Sequence, residues 1–247
     1  MSLNYSFLVD QVERLVGTGT VLLDYGCGRG ELLDEALKRK HEALGCDTYY
    51  GGSNLYGGSA PCRDRIFNID PNTNLLPFQD EHFDVVVANQ VFEHIEDIHA
   101  PLEEIHRVLK IGGLFLNFFP TRDIVWEGHI KAPFAQFFFD PPTRWDSYLS
   151  MMYRLGIGAN QRGASLSNWK DRYRSMPTYC FYRSTREVKE NFSRHFEILQ
   201  DVQAEWMRHR LAHSRLNRLR IPGWADPILS IMTAKLAGRI FVLQRKN

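Results

Sequence analysis

The chain has 247 residues, 44% of them hydrophobic and 24% charged, with a formal net charge of +1. This suits one large domain, or one domain with a substantial insertion, and excludes a global electrostatic pull toward nucleic acid or membrane. Cys27, Cys46, Cys62 and Cys180 have neither the paired spacing of a zinc site nor the density of a disulfide scaffold, so a reducing, cytoplasmic setting is expected. Asp10 and Glu13 interrupt the first apolar stretch, unlike a signal peptide, and no apolar run is long enough to span a bilayer.

Phe7, Leu8, Val12, Leu15 and Val16 recur at helical spacing, which predicts an amphipathic helix over 5–16 stopped by Gly17 and Gly19. VLLDYG reads as a buried strand, and after the glycines Leu32, Leu33, Ala36 and Leu37 mark one face of a helix. EALGCD (42–47), RIFNID (65–70) and FDVVVAN (83–89) predict three further strands, the last with the continuous apolar character of a parallel strand covered on both faces. The link 48–64 carries four glycines and a proline and reads as a loop. A helix bearing Leu102, Ile105, Val108 and Leu109, closed by Gly112 and Gly113, leads into a fifth strand, LFLNFFP.

Residues 121–184 break this rhythm, with Trp126, Phe134, Phe137, Phe138, Phe139, Trp145, Tyr148 and Tyr153 set among prolines and glycines. They predict an insertion with its own small core. Beyond it, Val188, Phe192 and Phe196 suit a helix running into a strand, FEILQDVQ. A basic helix around 204–219, an apolar helix near 227–237 and a last strand, RIFVLQRK, complete the chain. The fold class expected is α/β, a doubly wound, mostly parallel seven-stranded sheet with helices on both faces and an aromatic lid inserted at 121–184.

Glycines at a strand-to-helix turn usually let a cofactor approach the backbone. A dinucleotide site wants Gly-x-Gly-x-x-Gly, whereas Gly26, Gly28 and Gly30 are spaced Gly-x-Gly-x-Gly with Glu31 where the third glycine should fall. A carboxylate there would repel a pyrophosphate and suits a zwitterionic or cationic ligand.

DYGCGRG after an apolar strand resembles the first motif of class I S-adenosylmethionine-dependent methyltransferases. LLPFQDEHFDVVVANQVFEHI and RVLKIGG are similar to later blocks of that family. The resemblance covers roughly residues 15–120. It implies that residues 1–120 and 185–247 form the cofactor-binding domain, and that S-adenosylmethionine is the cofactor, with S-adenosylhomocysteine as product. Asp24 would organise the turn near the methionine amino group, with Tyr25, Gly26, Cys27, Gly28 and Gly30 allowing close backbone approach. Asp47 and Thr48 would stand at the ribose, Ile69 and Asp70 by the adenine, and Asn89 and Gln90 on the methionine side. Tyr49, Tyr50 and Tyr56 are offered as a cover for the adenosine.

Candidate catalytic groups must sit past strands four and five or in the insertion, because ligands of open α/β sheets bind at that edge. His129, in WEGHIKAPF, is the first candidate for a base, against a plain surface-loop histidine. Glu93 and His94 follow strand four, with capping of the next helix as the alternative. Some quinone-biosynthesis O-methyltransferases carry a metal at a similar segment with an earlier Glu. Here that position is Gln90, and no metal is expected. His99 and His106 are expected on solvated helix faces.

Arg208, Arg210, Arg215, Arg218 and Arg220 occur without one acid among them, which favours an anionic partner such as phosphate, nucleic acid or headgroups. Transfer of a methyl group to a small-molecule or glycan-type acceptor, at oxygen, is the favoured reading. Methylation of RNA or of a phosphorylated or lipid-associated substrate, and a non-catalytic S-adenosylmethionine-binding module, are the alternatives.

Overall fold

The computed structural model describes residues 3–48, 62, 64–70, 72–218 and 220–247. Tyr49, Tyr50, Tyr56 and most of the expected loop 48–64 lie outside them. The elements are α1 (Leu3–Val16), β1 (Val21–Tyr25), α2 (Glu31–Lys38), β2 (Glu42–Asp47), β3 (Ile66–Asn68), β4 (Phe83–Asn89), α3 (His99–Val108) and β5 (Leu109–Phe119). A short hairpin, β6 (Trp126–Glu127) and β7 (Ala132–Pro133), and helices α4 (Pro142–Arg154) and α5 (Leu166–Tyr173) follow. The chain closes with α6 (Thr185–His195), β8 (Phe196–Asp201), α7 (Gln203–Ala212), α8 (Asp226–Leu236) and β9 (Arg239–Arg245).

Seven strands form one sheet in the order β3-β2-β1-β4-β5-β9-β8, in which β9 runs antiparallel to both its neighbours. Alternating side chains feed two cores. Leu23, Tyr25, Val86 and Phe115 pack on one face against α3 and α6, whereas Leu22, Val85, Val87 and Leu116 pack on the other against α1 and α2. This period of two on strands covered from both sides explains their unbroken apolar character. The strand order reverses at β1, so a crevice opens past the C-terminal ends of β1 and β4, where such sheets bind ligands.

Several boundaries differ from expectation. Gly112 and Gly113 do not cap a helix. The helix ends at Val108, and both glycines lie inside β5, where the pairing with β4 shifts register between Phe83 and Val85 and Gly112 takes φ 75°. The third strand shrinks to three residues. The basic helix stops at Ala212, leaving Arg215, Arg218 and Arg220 on a non-helical segment.

The ends of the inserted segment meet. Arg122 N donates to Arg183 O at 2.7 Å, and Thr185 N donates to Asp123 Oδ2 at 3.0 Å. Between them Trp145, Tyr148, Leu149, Met152, Trp169 and Tyr173 form a third apolar cluster. Trp126, Phe134 and Phe137, expected in that core, are exposed instead. All four cysteines are buried. Among the described residues no helix is long and apolar enough to cross a membrane.

Candidate active site at the junction of two cavities

The turn after β1 is built by backbone bonds. Gly26 N and Cys27 N both donate to Cys46 O, at 2.8 and 3.0 Å, and Gly28 N donates to Asp47 Oδ2 at 2.8 Å. Thr48 N donates to Asp47 Oδ1 at 2.7 Å, so the carboxylate ending β2 is tied to the turn ending β1. Gly26 has φ 73°, and a Cβ on it would overlap the Val91 side chain, so only glycine fits. Gly28 takes φ 51°, and a Cβ added to it would meet nothing within 4 Å among the described residues.

Asp24 is buried beneath this turn. Burial pushes its carboxyl up to about 8, a hydrogen bond from the Leu33 backbone opposes this, and the Asp47 charge adds to the rise. Its Oδ2 has no partner among the described residues. A buried carboxyl with an orphaned oxygen fits a cationic amino group and not a phosphate. Glu31, whose Oε2 accepts from Tyr5 OH at 3.0 Å, adds a further carboxylate at the same helix start.

A cavity of about 240 Å³ opens above the turn. Tyr25, Gly26, Asp47, Thr48, Ile69 and Gln90, all named from the sequence as candidates, stand in its wall. Asp70 does not. Its Oδ1 accepts from Asn72 N at 2.9 Å and from Asn72 Nδ2 at 3.0 Å, and Asn74 takes the wall position instead. Cys27 and Gly30 shape the turn from behind, with Gly30 as the left-handed cap of α2. Asn89 ends β4 with its Oδ1 buried and without a hydrogen-bond partner among the described residues.

A second cavity, about 430 Å³, lies between the sheet edge, the hairpin β6–β7 and α7, walled by Phe118, Trp126, His129, Trp206 and Arg210. Gln90 lines both cavities and takes φ 58°, a left-handed conformation uncommon for a side chain of its size. At this junction the rings of His94 and His129 meet edge to face with centroids 5.1 Å apart.

The insertion is bolted to the turn after β4, and this brings the two histidines together. Phe181 N donates to Glu93 O at 2.6 Å, and Arg183 donates to Phe92 O at 3.2 Å and Ile95 O at 2.7 Å. His94 Nδ1 lies 2.8 Å from Tyr179 O, which orients its ring. His129 Nδ1 lies 2.7 Å from Glu127 Oε1, and that buried carboxylate also accepts from Tyr182 OH at 2.5 Å and Ile130 N at 2.8 Å.

Burial alone would raise Glu127, but the His129 hydrogen bond and charge, with Tyr182 and Ile130, hold it below the usual carboxylate range. His129 shows the reverse balance. Burial pulls it down, and the Glu127 hydrogen bond and charge carry it above its ordinary value. His94 is lowered by burial. Glu93 is fully buried with both oxygens unpartnered among the described residues, and burial pushes it up to about 8. Glu93, His94 and His129 are therefore brought together, while His99 and His106 stay on α3. The sequence reading missed Glu127, Tyr182, Cys180 and Asn74. Only Glu127, two residues before His129, left a local trace.

The arginine segment divides. Arg208 pairs with Asp226 at 2.5 Å and donates to Ile221 O at 2.7 Å and Pro222 O at 2.9 Å, so the acid missing from the segment comes from α8. Arg210 stacks over Trp206 at 5.2 Å. Arg215, Arg218 and Arg220 are exposed and form no ion pair among the described residues.

Residues 23–117 match a methyltransferase domain family. The chain is similar to the human mitochondrial protein named arginine-hydroxylase NDUFAF5, 23% identical over 217 residues, which cover 84% of this chain and 58% of that protein. It is also similar to the ubiquinone biosynthesis O-methyltransferase of Bradyrhizobium sp. (strain ORS 278), 32% identical over 101 residues, covering 40% of this chain and 39% of that one. A solved S-adenosylmethionine-dependent methyltransferase from Mesorhizobium loti superimposes with TM-score 0.59 at 14% identity, over 99% of this chain and 100% of that one. The chain thus spans less than two thirds of the length of these curated relatives. The match covers residues 23–117, and the fold around it is that of the solved S-adenosylmethionine-dependent methyltransferase. The matched domain implies S-adenosylmethionine as the cofactor.

Proposed function

We propose that the chain transfers a methyl group from S-adenosylmethionine to an oxygen of a small-molecule or glycan-type acceptor seated in the second cavity, with His129 as general base. The observation that carries this is the Glu127–His129 pair in the wall of the second cavity, with the His129 ring against that of His94, which lines the first cavity. When bound, the cofactor supplies an electrophilic methyl on a sulfonium, and the residues around it have to align the acceptor oxygen with that carbon. Glu127 stays ionised and accepts the Nδ1 proton of His129, which leaves the Nε2 lone pair to take the acceptor's proton. Glu93 is a neutral carboxylic acid at pH 7, with an O–H to donate beside His94. The aromatic walls suit a flat ring, and Arg210 favours an acceptor that also bears phosphate.

The test is release of S-adenosylhomocysteine over a panel of hydroxylated, glycan and phosphorylated acceptors. Turnover by the wild type with loss in His129→Ala is expected, and cofactor binding without turnover over the whole panel would favour a binding module. One relative is named an arginine hydroxylase, so the assignment rests on the site rather than on kinship.

A second reading has its own observation. The ring nitrogens of His94 and His129 and the Cys180 sulfur lie within 4.8 Å of one another, close enough to share a soft divalent cation. Spacing along the chain could not anticipate this trio, because its members lie on three separate segments. On this reading the histidines would be ligands rather than base, and chelation would abolish turnover.

A further inference from the structure

Helix α8 is apolar on two sides. Leu229 and Ala234 pack inward with Thr233, whereas Ile228, Ile231, Met232 and Leu236 form an outward stripe, with Ile231 63% exposed. Trp224, in the turn before it, is 75% exposed. A surface helix normally turns polar residues outward, and an apolar stripe of this kind marks a contact with something outside the chain.

Two neighbours define that contact. The cationic segment with Arg215, Arg218 and Arg220 is fastened beside the helix start by the bonds of Arg208 to Ile221 O, Pro222 O and Asp226. The second cavity reaches the other end of the same helix, with Leu236 and Ala237 in its wall. There Val125 N donates to Lys235 O at 2.7 Å and seats the exposed Trp126 beside the helix end.

We propose that this face docks on an anionic lipid bilayer, with the α8 stripe at the headgroup boundary, the three arginines on the headgroups and the second cavity open toward the surface. Aromatic and aliphatic side chains beside arginines that form no ion pair among the described residues are the composition of an interfacial surface. An isologous second copy would bring the same cations to the contact, and nucleic acid would leave the apolar stripe unmatched. The consequence for the substrate rests on the acceptor assignment above: an acceptor carrying an apolar tail reaches His129 from the bilayer.

The test is cosedimentation of the full chain with vesicles of phosphatidylcholine, with and without phosphatidylglycerol, at low and high salt. Binding is expected only to the phosphatidylglycerol vesicles, weaker in salt. It should fall by about tenfold or more in Ile228→Glu/Ile231→Glu and in Arg215→Glu/Arg218→Glu/Arg220→Glu, with calorimetric affinity for S-adenosylmethionine kept. Ile231→Ser replaces the glutamate pair if that variant loses cofactor affinity. Absence of binding at low salt, equal binding by the variants, or a wild-type dimer that Ile231→Glu turns into a monomer would overturn the proposal. The readout is lipid binding rather than turnover, so this proposal and the acceptor assignment can fail separately.

Discussion

His129 Nδ1 sits 2.7 Å from Glu127 Oε1, although the two residues are only two positions apart in the turn of a hairpin. The turn lets a half-buried ring lean on a carboxylate with no solvent exposure. His129→Ala should lower turnover by about 10²–10⁴-fold, the usual worth of a general base, with cofactor affinity unchanged in calorimetry. Glu127→Gln should lose much of the same factor because it no longer fixes the tautomer. A single-turnover assay with both variants checks this, and wild-type rates in His129→Ala would remove it from the mechanism.

The same pair sets the pH dependence. The base acts when neutral, and His129 is raised above its ordinary 6.5, so the rate should climb with pH through a midpoint above that value. In Glu127→Gln the raising charge is gone and burial pulls the other way, so the midpoint should move down. A pH–rate profile that is identical in the two proteins would refute the coupling.

Asp24 should make cofactor binding proton-linked. Its carboxyl, pushed up to about 8 by burial, is largely neutral in the free protein at pH 7, and a cationic amino group beside it favours ionisation. Binding should therefore release a proton from Asp24 and tighten as pH rises toward 8. Titration calorimetry in buffers of different ionisation enthalpy measures the released proton. In Asp24→Asn that contribution should vanish, and affinity at pH 7 should drop by about tenfold, the scale of one charge-assisted hydrogen bond.

Gly26→Ala should cost stability by about 1–3 kcal/mol, since the residue holds φ 73° and its Cβ would overlap Val91. Val91 also stands in the cofactor cavity, so the displaced side chain should weaken cofactor binding too. Thermal melts with and without S-adenosylmethionine would reveal both effects, and a wild-type melt would contradict the overlap.

Trp169 is fully buried in the cluster of the insertion, where its Nε1 donates to Ala159 O at 2.7 Å. Trp169→Ala should cost about 3–5 kcal/mol, borne by the insertion rather than by the sheet. Cofactor affinity should survive while turnover collapses, because Cys180, Tyr182 and His129 sit on that segment. Loss of both at the same temperature in a melt would show that insertion and sheet unfold as one unit.

The sheet was legible because its signals are local. Val85, Val86 and Val87 make an unbroken apolar run only in a strand covered on both faces, and Gly26, Gly28 and Gly30 stand where a strand must turn sharply into a helix. The Gly-x-Gly-x-Gly spacing and Glu31 already tell against a pyrophosphate at that turn, since charge at a helix start acts within one turn of chain. Gly112 and Gly113 misled, because a glycine pair ends a helix and bulges a strand with the same letters. The arginine segment misled in part, because Asp226, the partner of Arg208, comes from another helix.

The sequence by itself determined the fold class, the cofactor turn and the residues His94 and His129 as candidates. Tertiary structure alone decided that these histidines touch, that Glu127 and Tyr182 share one proton-rich contact, and that Gln90 stands between two cavities. It also turned α8 outward. The physical reason is range: hydrophobic period and turn chemistry act over a few residues, whereas the junction joins the turn after β4 to a segment 85 residues further along the chain, through bonds such as that of His94 with Tyr179.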